Sequence, residues 1–339
     1  MVEKEEDVYL KILITTDFHI NYKESSGIFV KIALDYIDYI EHYCLDNGIE
    51  NIFFLGDVFE KSIKIRHDSF VPLFFKLQSI NRKGLKVYFI LGNHDIYSVD
   101  NDSIVETFEP IVTRVIKDCE IFTIGGREFT FLSYTKDEKK IPEKGDVLMT
   151  HLAIADFEFD NDYHATETVA LKPELFAGFN QVFSGHFHKP QHKGNIWFVG
   201  SPYQLNLGEA GQKKGFGIYD TDDSSYTFIH YKFAPEFITF KIEDYKKVDV
   251  KNKFVHVEID TKIDNFIKLK YILFEKGALS VVPIFKQPVK ELEIKDVKIE
   301  KNFSTIPEIT LEYLRKVKQD GVDNGKLISI FQKILEKSK

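Results

Sequence analysis

The chain has 339 residues, of which 43% are hydrophobic and 29% charged, and its formal net charge is −8 at pH 7. This composition is typical of a folded globular protein and excludes a chain that is disordered throughout. Its two cysteines lie outside any C-x-x-C pattern, which argues against a disulfide framework, and no run approaches the ~20 apolar residues that span a bilayer. The acidic first residues lack the apolar stretch of a signal peptide, so we expect a protein of a reducing, cytoplasmic compartment with no membrane partner.

The negative charge is concentrated in the first 240 residues, which carry a net charge of −13. Residues 241–301 carry a net charge of +3, and residues 302–339 carry +2. An acidic protein is at first sight a poor partner for nucleic acid, but bound divalent cations would reverse the sign of an acidic region locally. The mildly basic remainder is typical of a solvated surface and also suits a face for phosphate groups, so charge alone leaves both interpretations open.

Strands and helices alternate in the first hundred residues. Nearly continuous aliphatic and β-branched runs predict buried strands at 8–16, 51–56 and 86–91. Apolar positions at helical spacing predict helices at 28–47 and 67–82, each ending near a glycine. This β-α-β-α-β order implies parallel strands joined by right-handed crossovers.

The next hundred residues are predicted to be mostly strand. Short strands are expected between residues 115 and 133, around a turn at Gly125-Gly126. Further strands are predicted to complete a second sheet, at 146–150, 181–184, 196–199 and 216–219. We therefore expect two layers of mixed sheet with helices outside them.

The composition changes after about residue 240, where lysine alternates with apolar residues and glycine becomes sparse. A strand at 254–260, a helix at 264–276 and a strand at 279–285 together predict a small α/β unit. Two amphipathic helices are predicted further on, at 308–319 and 324–337.

Five short apolar runs each end on side chains that can bind a metal ion. The runs read ILITTDFH, FFLGD, YFILGNHD, VLMTH and VFSGHFH. They deliver the candidate site residues, which are Asp17, His19, Asp57, Asn93, His94, Asp95, His151, His186 and His188. Side chains at the carboxyl ends of adjacent parallel strands converge at one edge of a sheet. A mixture of carboxylates, imidazoles and an amide suits two divalent cations better than one.

Each motif alone is weak, because most D-x-H pairs, G-D turns and single histidines are surface, capping or partly buried polar residues. Together and in this order they resemble the pattern of the calcineurin-like metallophosphoesterases: D-x-H, G-D, G-N-H-D, H and G-H-x-H. Within that superfamily the chain is similar to the SbcD-type family of DNA nuclease subunits, also called the meiotic-recombination-eleven family. This closer resemblance depends on G-D-V-F at 56–59, SGHFHKPQ at 184–191, and G-S-P at 200–202 followed by Lys214-Gly215-Phe216.

The resemblance implies an α/β fold, a two-layer mixed β-sheet sandwich flanked by helices, with a small α/β capping domain and a C-terminal helical pair. The implied domains are a metallophosphoesterase nuclease domain at 1–238, a DNA-capping domain at 239–288, a linker at 289–302 and a helical partner-binding segment at 303–339. Two other interpretations stay open: that the region at 239–288 is a packing extension of the main domain, and that the two C-terminal helices fold back on its core.

The resemblance also implies two metal ions that Asp57 bridges. Asp17, His19 and His188 would complete one site, and Asn93, His151 and His186 the other. His94 would be catalytic, facing the substrate phosphate and protonating the leaving oxygen, with Asp95 orienting its ring. The expected ion is Mn²⁺, which suits a mixed oxygen and nitrogen site.

The implied function is that of a Mn²⁺-dependent DNA exonuclease and endonuclease in DNA end processing, double-strand-break repair or recombination. The implied partners are DNA, an SbcC-type ABC ATPase that binds residues 303–339, and a second copy of the chain at the first helices, in a bacterial cell or a phage-infected host. Two alternatives stay open. One is a phosphoesterase of the same fold for small nucleotides or phosphoproteins, and the other is a non-catalytic scaffold for an ATPase.

One stretch departs from the family pattern. After G-D-V-F the family often has Asp or His and then a Ser-Arg-Pro-like run, whereas this chain has Glu60-Lys61-Ser62-Ile63-Lys64. This stretch is expected near the approaching DNA, which puts the substrate geometry in doubt but not the metal site. His67, His164 and His192 match no ligand position and are interpreted as ordinary polar histidines. A contact of His67 or His192 with the phosphate backbone of DNA stays open as the alternative.

Overall fold

The structure is a computed structural model of the chain. It describes residues 10–22, 27–61, 65–98, 100–160, 163–164, 170–259, 263–285, 311, 314–315 and 324–337. The chain forms two compact units, Met1–Ile284 and Phe285–Lys339. The first unit contains both large sheets and the candidate site residues.

The first sheet has six strands, which are in spatial order β14 (Tyr226–His230), β13 (Gly215–Asp220), β1 (Lys11–Thr15), β2 (Asn51–Leu55), β3 (Lys86–Ile90) and β4 (Arg114–Ile116). The predicted parallel order of the first three strands is confirmed, because β1 pairs with β2 and β2 with β3 in parallel registers. The two crossovers are helices α1 (Gly27–Asn47) and α2 (His67–Arg82), which lie within a residue of the predicted bounds.

Both faces of this sheet are buried, which explains why its central strands are continuous apolar runs. One face packs on the helices in a core that includes Leu13, Ile37 and Leu77. The other face packs on the second sheet through residues such as Phe53 and Phe131. The parallel registers of β1, β2 and β3 place their carboxyl ends at the same edge of this sheet.

The second sheet has the spatial order β11 (Gln191–Lys193), β12 (Ile196–Phe198), β10 (Phe179–Ser184), β7 (Gly145–Thr150), β6 (Arg127–Leu132) and β5 (Cys119–Ile124). Strands β6, β7, β10 and β12 run parallel to one another. The predicted turn at Gly125-Gly126 joins β5 to β6, and both glycines have positive φ, 57° and 72°. A short hairpin of β8 (Glu158–Asp160) and β9 (Tyr163–His164) lies outside the large sheets.

The prediction that strand 216–219 belongs to the second sheet is wrong. This strand is β13, which pairs antiparallel with β1 in the first sheet, with Leu13 opposite Ile218. Its neighbour β14, which the sequence analysis did not predict, pairs along its other edge. The apolar pattern marks a buried strand, but its partner is about two hundred residues away in sequence, and no local pattern identifies that partner.

A three-stranded sheet follows, made of β15 (Glu236–Lys241), β16 (Lys253–Ile259) and β17 (Ser280–Phe285), with helix α3 (Ile263–Glu275). The predicted strand, helix and strand of the small α/β unit correspond to its last three elements, whereas β15 was not predicted. The unit has its own core, which includes Val255, Val257 and Leu273. Phe254 at its edge stacks on Phe29 of α1, with ring planes 3° apart, so the small sheet is packed against the first layer.

In the second compact unit, helix α4 (Asn324–Lys337) has the bounds predicted for the last helix. Of the predicted helix at 308–319, only residues 311, 314 and 315 are described, and they are helical. The predicted linker at 289–302 lies outside the described residues. Among the helices that the structure describes, none combines the length and the apolar character needed to cross a bilayer.

Candidate metal centre

The predicted site residues follow five strand ends. Strands β1, β2 and β3 of the first sheet and β7 and β10 of the second end immediately before them. Strands β1, β2 and β3 are parallel to one another, and so are β7 and β10, so within each layer these carboxyl ends lie at one edge. The structure brings the side chains together into overlapping groups whose ligand atoms lie within 4.8 Å of one another, namely Asp17 with His19 and His188, His19 with Asp57 and His94, and Asp57 with His151 and His186.

Four of these residues have left-handed backbone conformations. Their φ angles are 55° at Asp17, 43° at His19, 52° at Asp57 and 84° at His186. This conformation is unfavourable for residues with a Cβ atom, by about 1–2 kcal/mol each, and such strain collects at functional sites. These four residues follow β1, β2 and β10, at the positions where the chain leaves each strand.

The first cluster consists of Asp17, His19 and His188. The Nε2 atoms of the two imidazoles are 3.1 Å apart, and Asp17 Oδ1 lies 3.8 and 3.9 Å from them. The other ring nitrogens lie beside carboxylates: His19 Nδ1 is 2.9 Å from Glu60 Oε2 without forming a hydrogen bond, and His188 Nδ1 is 2.9 Å from Glu209 Oε1. His188 Nδ1–H donates to Glu209, so the Nε2 lone pair of His188 faces the cluster, an arrangement that suits a cation.

The second cluster consists of Asp57, His151 and His186, with Asn93 beside them. His151 Nδ1 donates to the carbonyl of Leu55 over 2.6 Å. Its Nε2 lone pair is therefore left buried, without a hydrogen bond and 3.2 Å from Asp57 Oδ2. Asn93 Oδ1 lies 2.7 Å from His186 Nδ1. Nε2 of His151 and Oδ2 of Asp57 are thus two acceptor atoms that face each other in a buried site. A cation between them would satisfy both.

Asp57 belongs to both clusters, because its Oδ2 is also 3.6 Å from His19 Nε2. A carboxylate between two groups of imidazole lone pairs is the donor that two adjacent divalent cations require. The residues present therefore fit a pair of divalent cations, with carboxylate, imidazole and amide donors that suit ions of intermediate hardness.

In the metal-free site, protons on imidazole rings balance the negative charge of the carboxylates. Burial alone lowers the pKa of His151, but the facing Asp57 outweighs burial and raises that pKa to about 9. Burial and the positive charge of His151 lower the pKa of His186 to about 4. Burial raises the pKa of Asp57, but the surrounding imidazoles overcome this and hold it well below its usual range. A proton on His151 thus occupies a position that suits a cation.

We expect the affinity for Mn²⁺ at the site of His151 to rise about tenfold per pH unit between pH 7 and 9, because His151 must lose its proton before Nε2 can bind a metal. The pKa of His151 in the folded chain lies above its ordinary value of 6.5. Its proton therefore stabilises the metal-free fold fully below pH 6.5, and this contribution is lost as the pH rises through about 9. Anaerobic Mn²⁺ titrations at pH 7, 8 and 9 measure the effect, and an affinity independent of pH would contradict it.

Three glycines allow the strand ends to approach this closely. A Cβ atom on Gly92 would lie 2.1 Å from Asp57 Oδ1 and 2.4 Å from the Asp57 backbone nitrogen. A Cβ on Gly56 or Gly185 would lie 2.7 or 2.6 Å from His151 Nδ1. The G-D, G-N-H-D and G-H-x-H motifs therefore need glycine at these positions, because any Cβ atom would clash with the site. Gly56 also has a positive φ of 86°.

We expect Gly92→Ala to weaken Mn²⁺ binding at least about tenfold, because the added methyl group displaces the Asp57 carboxylate. Overpacking should also destabilise the fold by about 1–3 kcal/mol. Metal titration and thermal unfolding measure the two effects. Gly27→Ala is the matched control, since its Cβ meets nothing within 4 Å, and equal effects of both substitutions would contradict the steric argument.

The structure corrects the expected role of Asp95. The ring of His94 is held by the carbonyl of Glu60, 2.7 Å from its Nδ1, and not by Asp95. The buried Asp95 carboxylate instead accepts backbone N–H groups of Val58, Phe59 and Gly92 over 3.0–3.3 Å. Burial and the nearby Asp57 raise the pKa of Asp95 to about 7. Asp95 therefore ties the loop after β2 to the loop after β3.

Sequence reasoning missed three residues that support the clusters. They are Glu60, noted only as a departure from the family pattern, and the buried pair of Glu209 and Lys214, 2.8 Å apart. The K-G-F motif at Lys214 was a signal for one of them, whereas no pattern marked Glu209. Among the described residues, His67 and His192 belong to none of the ligand groups, and the side chain of His164 is not described.

The chain is similar to several known proteins. A family model for the calcineurin-like phosphoesterases matches residues 10–190. Exonuclease subunit 1 of Enterobacteria phage T4 is 23% identical over 324 residues, covering 89% of this chain and 94% of the phage protein. The DNA double-strand break repair protein Mre11 of Nanoarchaeum equitans is 23% identical over 291 residues, covering 74% of this chain and 78% of that protein. A dimetal phosphatase structure from Danio rerio covers 62% of this chain and 91% of its own, with 10% identity and a TM-score of 0.39.

Proposed function

The chain belongs to the calcineurin-like phosphoesterase family, and from this premise we propose that it is a Mn²⁺-dependent DNA exonuclease and endonuclease. We propose further that it works in a nuclease–ATPase complex for DNA end processing, double-strand-break repair or recombination. The observation that carries the proposal is the pair of donor clusters that share Asp57 at one edge of the sandwich. The choice of DNA as substrate is supported by relatives named as an exonuclease subunit and a double-strand break repair protein.

In the proposed mechanism, Asp17, His19 and His188 would hold one cation, and Asn93, His151 and His186 the other, with Asp57 shared. The bound cations would supply charge neutralisation at the phosphodiester and a more acidic attacking water. The other contributions come from the chain itself, which fixes the donors on rigid strand ends and keeps most of the site buried.

His94 is the proposed catalytic residue. Its backbone N–H donates to Asp57 Oδ1 over 2.9 Å, which places the residue directly beside the shared carboxylate. Its Nδ1 is fixed by the Glu60 carbonyl, so Nε2 is the nitrogen available to a substrate. The half-buried ring packs edge-on to His19, with centroids 4.9 Å apart. From this position His94 can give a proton to the leaving oxygen of a bound phosphodiester.

Three further assignments are part of the proposal. Residues 303–339 would bind an SbcC-type ABC ATPase, for which the amphipathic α4 with its exposed Leu327 offers an apolar stripe. The exposed Phe75 of α2 and Leu45 of α1 support a homodimer through the first helices. The small α/β unit would be the DNA-capping domain at 239–288, and the protein would act in the cytoplasm of a bacterial cell or a phage-infected host.

The test is digestion of end-labelled linear duplex and single-stranded DNA by the full chain, with Mn²⁺, with Mg²⁺ and with EDTA. We expect cleavage with Mn²⁺ that EDTA abolishes. Hydrolysis of bis-p-nitrophenyl phosphate without DNA cleavage would instead favour a phosphoesterase for small substrates. If Mn²⁺ binds but neither substrate is hydrolysed, the scaffold alternative is favoured.

A further inference from the structure

We infer that Tyr134 contacts the substrate, with its phenol O–H donating a hydrogen bond to a phosphate oxygen of the phosphodiester at the metal centre. This inference rests on the proposed function. It adds to the site a residue that holds the substrate and not the metal. None of the motifs found in the sequence includes Tyr134.

Tyr134 follows a sixth strand end, beside those that carry the metal donors. Strand β6 runs parallel to β7, with Leu132 opposite Thr150. His151 directly follows Thr150, and Tyr134 comes two positions after the end of β6. Its backbone N–H donates over 2.8 Å to the carbonyl of Leu91, which precedes the G-N-H-D motif. Tyr134 is therefore fixed between the end of β3 and the end of β7.

The ring of Tyr134 packs on a proposed metal ligand. It stacks on the imidazole of His186, with ring centroids 6.3 Å apart and ring planes 24° apart. Burial raises the pKa of Tyr134, and the charge of Asp57 raises it further, so the phenol oxygen lies within electrostatic reach of that carboxylate. Because Asp57 belongs to both donor clusters, a group near it is also near the place that a phosphodiester must reach.

The hydroxyl of Tyr134 is free to bind a ligand. Among the residues that the structure describes, it has no hydrogen-bond partner. The side chain is half-buried and lines an open cavity of about 300 Å³ together with Thr135 and Lys140. A tyrosine keeps its proton at neutral pH and so offers an O–H donor. The charged oxygen atoms of a phosphodiester accept such hydrogen bonds strongly.

The test is Tyr134→Phe in the full chain, which removes only the hydroxyl and keeps the ring on His186. Because that hydroxyl bonds no described residue, the fold and Mn²⁺ binding should match those of wild type. For bis-p-nitrophenyl phosphate with saturating Mn²⁺, kcat/KM should fall about 10- to 100-fold, as for a lost hydrogen bond to a charged group. The bond forms with the bound substrate as well as in the transition state, so most of the loss should be in KM.

Binding of inorganic phosphate gives a second measurement, which needs no turnover. Phosphate has the same acceptor oxygens as the substrate, so it should use the same donor. Isothermal titration calorimetry of the Mn²⁺-loaded chain should show a Kd for phosphate that is about tenfold higher in Tyr134→Phe than in wild type.

Tyr226→Phe is the matched control. The buried hydroxyl of Tyr226 likewise bonds none of the described residues. Tyr226 lies opposite Tyr219, which lies opposite Ile12 near the start of β1, so it is far along that strand from the metal centre. Loss of this hydroxyl should change neither Mn²⁺ binding, nor hydrolysis, nor phosphate binding.

Tyr134→Leu separates the ring from the hydroxyl. It removes both, so it should lower hydrolysis at least as much as Tyr134→Phe. It should also weaken Mn²⁺ binding, because His186 loses the ring that packs on it. If Tyr134→Phe behaves as wild type while Tyr134→Leu is impaired, Tyr134 acts only by packing and the inference is overturned. A loss of Mn²⁺ in Tyr134→Phe would overturn it too.

The proposed nuclease function fails separately from this inference. A chain that hydrolyses bis-p-nitrophenyl phosphate but not DNA contradicts the nuclease and leaves the comparison of Tyr134 variants intact. If neither substrate is hydrolysed, phosphate binding decides. Weaker phosphate binding in Tyr134→Phe would support the inference, and an unchanged Kd would overturn it.

Discussion

Replacing His94 by glutamine should lower the rate of DNA hydrolysis about 100- to 10,000-fold, the range expected for a lost general acid. Glutamine keeps the backbone N–H that Asp57 Oδ1 accepts, so the shared carboxylate should stay in place. Mn²⁺ binding should therefore change little. The loss should also depend on the leaving group. A p-nitrophenolate needs no proton to depart, so hydrolysis of bis-p-nitrophenyl phosphate should fall by less than about tenfold.

The control for this substitution is His192→Gln. His192 stacks on Trp197, with ring planes 12° apart, and its Nε2 contacts the Gly194 carbonyl on the second sheet. It is an imidazole outside the ligand groups, so neither substrate should be affected. An equal loss for both substrates in His94→Gln, or a loss of Mn²⁺, would show that His94 holds the metal and is not the proton donor.

The sequence could predict the site residues whose positions follow from the parallel strands. A buried apolar run that ends in Asp57 or His151 predicts a strand. It also predicts that the last side chain lies at the carboxyl end of that strand. Because the order of strands and helices implies parallel pairing, the convergence of these ends follows without a structure. The same reasoning located α1 and α2 within a residue of their observed bounds.

The parts that could not be predicted depend on contacts between distant segments. Strand β13 pairs with β1, which lies near the start of the chain, and the apolar pattern of β13 does not identify that partner. Asp95 follows His94 directly in sequence, yet His94 contacts the carbonyl of Glu60 whereas Asp95 accepts from the backbone N–H groups of Val58 and Phe59. Lys214 would be expected at the surface by its residue type, but the charge of Glu209 allows it to be buried.

Some of the acidic residues among the first 240 lie at the candidate metal centre. Four carboxylates, those of Asp17, Asp57, Glu60 and Glu209, surround or back the donor clusters. Their charge is balanced by imidazolium protons and Lys214 when no cation is bound. Two dications would make the same region attractive to a phosphodiester, so the net charge of the chain is a poor guide to its substrate.

Replacing the shared carboxylate should have the largest effect of all. In Asp57→Asn we expect the bound Mn²⁺ to fall from two ions to at most one, with a loss of hydrolysis of at least about 1,000-fold, or about 4 kcal/mol in activation free energy. Asp57 Oδ2 lies 3.2 Å from His151 Nε2 and 3.6 Å from His19 Nε2. An asparagine removes the charge that both cations share. Its amide group can also donate to the His151 lone pair and so fill the position of a metal.

The same substitution also tests whether Asp57 controls the protonation of His151. Without Asp57 the pKa of His151 should fall from about 9 toward its usual value, since the facing carboxylate is what raises it. Proton uptake by His151 can be followed by nuclear magnetic resonance in the metal-free variant. Asp35→Asn, at an exposed carboxylate of α1 paired with Lys31, is the control and should change neither metal binding nor hydrolysis. A variant lacking Asp57 that still binds two ions and cleaves both substrates would show that the clusters bind their cations independently, and the two-metal mechanism would have to be abandoned.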